Sequence, residues 1–72
     1  MKYVILLQPQ PEGGFTVTVP DLPGCISQGE TREECRKNIG DAIEGWILTA
    51  RANNWAVPEP STRFDEVEVK AS

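Results

Sequence analysis

The chain has no histidine and only two cysteines among its 72 residues. Without an imidazole there is no Ser-His or Cys-His pair and no histidine general base. Cys25 and Cys35 have nine residues between them and no CxxC pair. That excludes the common structural zinc arrangements. Both read as small buried hydrophobes, with a disulfide linking strand to helix as the alternative, which a reducing cytosol disfavours. Aromatic residues make up 7% of the chain, and there is no repeat or low-complexity tract. No apolar run approaches the roughly 20 residues of a membrane span. The opening Met1-Lys2-Tyr3-Val4-Ile5-Leu6-Leu7 is too short and too soon followed by Gln8-Pro9 for a signal peptide. The expectation is a protein of the cytoplasm.

Phosphate-cradling glycine motifs are also missing. Gly13-Gly14 precedes a strand pattern rather than opening a helix, which is the wrong context for a nucleotide loop. Seven basic against eleven acidic residues give a net charge of −4, and the basic ones are scattered. This does not suit a surface built on phosphate neutralisation. An acidic module suits a basic protein partner better. No cofactor, metal or catalytic residue is expected, and the chain reads as a non-enzyme.

One domain of this size buries only about 60% of the surface its unfolded chain would expose. A partner chain is a common supplement. Lys2 to Gln8 reads as a first strand, followed by a hairpin loop from Gln8 to Gly14. Phe15, Val17 and Val19 alternate with Thr16 and Thr18 in a second strand. Pro20-Asp21-Leu22-Pro23-Gly24 then forms a stiff corner. Proline stops the ladder and presets φ, and Gly24 permits a turn few other residues allow. Cys25 to Gln28 makes a short third strand, closed by Gly29.

Thr31-Arg32-Glu33-Glu34 is a capping box, in which Thr31 accepts from the Glu34 N–H and Glu34 reaches back to Thr31. Cys35, Ile39, Ala42, Ile43, Trp46, Ile47 and Ala50 lie on one face of a helix of about 20 residues. Ile39, Ile43, Trp46 and Ile47 are the expected buried face. Gly40, at the stripe's edge, suggests close backbone approach to the sheet or to a partner chain. Asn53 and Asn54 end the helix. Phe64 to Lys70 returns to alternation, with Val67 and Val69 against Glu66, Glu68 and Lys70, as an edge strand. The predicted fold is α+β: a three-stranded antiparallel sheet, one long helix packed on it and a fourth edge strand, in the order β-β-β-α-β.

The Phe15-x-Val17-x-Val19-Pro20-Asp21-Leu22-Pro23-Gly24-Cys25 run, the Gly29-Glu30-Thr31 step, Glu33-Glu34 and Val57-Pro58-Glu59-Pro60 occur in this order over most of the chain. In these features the chain resembles the amino-terminal domain of HicB-type antitoxins. The resemblance implies a partly degraded ribonuclease-H-like fold that has become a binding surface. It also implies a small basic HicA-type toxin, an mRNA-cleaving ribonuclease, as the protein neutralised by direct contact. Many relatives add a carboxy-terminal DNA-binding domain. Residues 1–72 read as a single domain without one, so no direct DNA binding is expected.

Asp21, Leu22, Pro23 and Gly24 are the candidate partner-binding residues, because a rigid, part-apolar turn loses little entropy on docking. Leu48 points off the helix stripe and Trp55 lies at the overhanging helix end. These two are candidate contacts in a homodimer or homotetramer. The alternative is a stand-alone oligomeric module that binds another protein or a small ligand, with no toxin partner. A residual nuclease is the weakest reading: related enzymes carry a metal-binding aspartate in the first strand, where this chain has Tyr3-Val4-Ile5-Leu6-Leu7.

Overall fold

The computed structural model describes residues 1–71. Three strands, β1 (Leu6–Pro9), β2 (Phe15–Thr18) and β3 (Ile26–Gly29), precede a single helix, α1 (Arg32–Ala52). The strands form an antiparallel meander in the order β1-β2-β3. Leu7 faces Val17, which faces Ser27 in turn. Phe15, Val17 and Val19 therefore share the face turned toward α1, as the alternation predicted. The opposite face carries the row Leu6, Thr18 and Ile26, and both Leu6 and Ile26 are exposed.

Helix α1 lies over β3 and β2 rather than β1. Its 21 residues span about 31 Å, against about 13 Å for a four-residue strand. Thr31 caps it in extended conformation, its hydroxyl accepting from the Glu34 N–H at 3.1 Å. The Glu34 carboxylate reaches back one residue further than predicted, accepting from the Glu30 N–H at 3.4 Å. Gly29 permits this close start, since a Cβ there would lie 2.9 Å from the Cys35 backbone nitrogen. At the other end Asn54 takes a left-handed φ of 58°. The Trp55 and Asn54 N–H groups then donate to the carbonyls of Ala50 and Arg51, a Schellman closure.

The core is small: Val17, Val19, Leu22, Cys25, Cys35 and Ile39. Tyr3, Ile5, Leu7, Phe15, Ala42, Ile43 and Trp46 pack around it, partly buried. Both cysteines are buried and free, as expected of small hydrophobes. Of the predicted helix face, Ile39 is fully buried, while Ile43, Trp46 and Ile47 are half-buried. A Cβ on Gly40 would meet nothing within 4 Å, so the sheet does not require glycine there.

The expected fourth strand is not formed. Among the described residues, the chain beyond Asn54 has no regular secondary structure, and Phe64 to Lys70 pairs with no strand. The chain is instead held as far as Thr62 by side-chain hydrogen bonds and then runs on, exposed. Ile39→Ala should cost about 2–5 kcal/mol of stability. The half-buried Ile43→Ala should cost less, with urea denaturation of both variants as the measurement.

Candidate functional site

The corner between β2 and β3 is two successive β-turns. The Leu22 N–H donates to the Val19 carbonyl and the Cys25 N–H to the Leu22 carbonyl, each at 3.1 Å. Proline occupies the second position of both turns, where its fixed φ is favoured. Gly24 has φ of 78°, the value the third position of a type II turn demands. The Val19 N–H donates to the Cys25 carbonyl at 3.2 Å and closes the base.

This geometry sends the candidate residues in different directions. Leu22 turns inward and is 0% exposed, a member of the core rather than of the surface. Pro23 and Gly24 remain exposed at the tip. The indole N–H of Trp46 donates to the Pro23 carbonyl at 3.0 Å, tying the tip to α1.

Asp21 is half-buried and already engaged. One carboxylate oxygen accepts from the Ser61 and Thr62 N–H groups, at 3.0 and 3.1 Å. The other accepts from the Ser61 and Thr62 hydroxyls, at 3.2 and 2.7 Å. These bonds, the Thr62 hydroxyl foremost, hold the Asp21 carboxyl down at about 2, from an ordinary value of 3.8. The Tyr3 hydroxyl makes a second tie, donating to the Pro58 carbonyl at 2.6 Å. Burial, aided by the Glu59 and Asp21 carboxylates, raises its pKa.

Tyr3, Ser61 and Thr62 were missed in the sequence. The neighbouring hydroxyls of Ser61-Thr62 were the available signal, but their acceptor lies some 40 residues away.

Gly24 shares a shallow cleft with Cys25, Ile26, Gly45, Trp46 and Trp55. Its volume is about 220 Å³. A Cβ on Gly45 would meet nothing within 4 Å, so glycine leaves that wall bare. Trp55 and Ile26, each 59% exposed, stand at the cleft. Leu48 is 67% exposed and does not line it. The structure thus brings Gly24 and Trp55 to one cleft, with Pro23 exposed at the turn outside its lining and Leu48 apart from it.

Burial raises the pKa of the Cys25 thiol. Among the described residues, no three His, Cys, Asp or Glu side chains converge to hold a metal ion. No helix there is long and apolar enough to cross a membrane.

The profile of a family described as the HicB-like antitoxin of bacterial toxin-antitoxin systems matches residues 3–71. The chain belongs to this family. It is similar to a UPF0150 protein of Thermoplasma acidophilum, with 35% identity over 99% of the chain and 100% of that protein. A UPF0150 protein of Synechocystis sp. is 33% identical over 96% of the chain and 94% of its own length. Antitoxin HicB of Escherichia coli K12 is 36% identical over 85% of the chain, which corresponds to 44% of that antitoxin. In this HicB-like chain, then, the β2–β3 corner is both part of the core and an exposed tip beside a cleft.

Because Asp21 binds fewer protons in the folded state, its ties to Ser61 and Thr62 should be intact above about pH 4 and be lost as pH falls through about 2. The Ser61 and Thr62 amide resonances should titrate near pH 2. A midpoint at the ordinary 3.8 would show that the carboxylate is free in solution.

Proposed function

We propose that this chain is an antitoxin that neutralises a small basic HicA-type, mRNA-cleaving toxin by direct contact and without catalysis. The observation that carries this reading is the family match over residues 3–71. The net charge of −4 complements a basic ribonuclease, and opposite potentials steer encounter. The contact surface in this reading is the cleft between the β2–β3 tip and the end of α1. Gly24, Ile26 and Trp55 supply a part-apolar face there, with Pro23 exposed next to Gly24 in the turn; the Asp21 carboxylate is taken up by Ser61 and Thr62. The antiparallel sheet and helix are then the remnant of a ribonuclease-H-like fold, and Phe64 to Lys70, unpaired in the single chain, corresponds to its fourth strand. The protein works in the cytoplasm as a homodimer or homotetramer, with Leu48 a contact between copies.

A second reading is favoured by the relatives matched along nearly their whole length. Those of Thermoplasma and Synechocystis carry the name UPF0150, not antitoxin. The alternative is a stand-alone oligomeric module that binds another protein or a small ligand. Co-purification of the tagged chain from its host separates the two, since the first requires a bound HicA-type ribonuclease.

Leu22→Ala would unsettle the core, so the surface is tested elsewhere. Ile26→Ala with Trp55→Ala should weaken toxin binding by about tenfold or more, as loss of an exposed aromatic anchor does. The melting temperature should change little. Unchanged affinity by calorimetry would move the contact to another face.

A further inference from the structure

β1 pairs with β2 on one side only, so its other edge presents unpaired backbone N–H and carbonyl groups. A groove of about 890 Å³ runs along it. Val4 to Leu7 form one wall, and Arg32, Glu33 and Arg36 at the start of α1 form another. The chain's own Phe64 and Glu66 also line it, without forming a ladder.

The segment from Phe64 to Lys70 has the alternation of a strand but forms none in the single chain. Its alternating Val67 and Val69 are 84% and 76% exposed, and Phe64 is 79% exposed. Asp65, Glu66 and Glu68 make it acidic, where the groove offers Arg32 and Arg36. The segment leaves the domain from a fixed point, because Asp21 and Tyr3 hold the preceding residues. The dimensions match an arm. The radius of gyration is 14.3 Å, against about 11 Å for a compact chain of this length. The longest extent is 51 Å.

We propose that two copies of this chain exchange arms, the Asp65–Lys70 segment of each adding a strand to the open β1 edge of the other. Strand addition satisfies the edge hydrogen bonds and sets Glu66 and Glu68 against Arg32 and Arg36 of the other copy. Reciprocal exchange gives a closed, two-fold dimer. This inference is independent of the toxin, since it concerns the chain alone.

The experiment is light scattering on the full chain and on two charge-reversed variants, with far-ultraviolet circular dichroism as the fold check. The wild type should be a dimer whose dissociation constant rises with sodium chloride concentration. Arg32→Glu with Arg36→Glu, and separately Glu66→Arg with Glu68→Arg, should each weaken self-association by about tenfold or more. Mixing the two variants should restore the dimer, because every arm then meets a groove of opposite charge. A monomeric wild type overturns the proposal. So does a dimer indifferent to salt and to both variants, which would place the contact at another surface. A mixture that stays monomeric does so too, as it would if each arm served its own β1 edge. The Glu66→Arg, Glu68→Arg variant alters only exposed residues, so it keeps the test decisive if the helix variant fails to fold.

Discussion

The insertion of Leu22 organises this molecule. A loop residue, carried between two prolines, supplies one of the largest fully buried side chains of a core that otherwise draws on one sheet face and one helix stripe. Burying a leucine contributes about 1.5–3 kcal/mol, a large share of the stability of a domain this small. The two turns around Leu22 make that burial possible, since Pro20 and Pro23 reduce the backbone entropy lost on folding. The Trp46 bond to the Pro23 carbonyl and the Asp21 bonds to the tail both depend on where Leu22 holds the corner. The corner is thus a structural keystone whose outer tip stays free for contact.

The meander, the helix and its caps were legible because their causes are local. Thr31 and Glu34 lie three residues apart, and the stripe from Cys35 to Ala50 repeats with helical period. Phe15, Val17 and Val19 alternate over five residues, which fixes the face they share. The inward turn of Leu22 was not legible. Periodicity assigns faces within strands and helices, and says nothing of a side chain between two turns. Nor was the use of Asp21, whose partners lie 40 and 41 positions later in the chain. For Phe64 to Lys70, alternation revealed strand propensity but not a pairing partner, because propensity is a property of one segment and pairing of two.

The family and the acidic charge agree on a binding protein, and the geometry adds a division of labour. One end of the sheet presents the β2–β3 tip, the cleft and Trp55. The β1 edge presents unpaired backbone and a charged wall of Arg32, Glu33 and Arg36. Shape and apolar contact govern the first surface, and hydrogen bonding and charge govern the second. The two surfaces share no lining residue.

The ties from Asp21 and Tyr3 to the tail also set an order of folding. Every contact within the meander joins neighbouring elements, and α1 docks directly behind the strand that precedes it. By contrast, Tyr3 meets Pro58 across 55 positions and Asp21 meets Thr62 across 41. Loop closure over such separations comes late, after local structure has brought the distant points near. The tail is a clasp, fastened to the first residues and to the β2–β3 corner by bonds that span 55 and 41 positions.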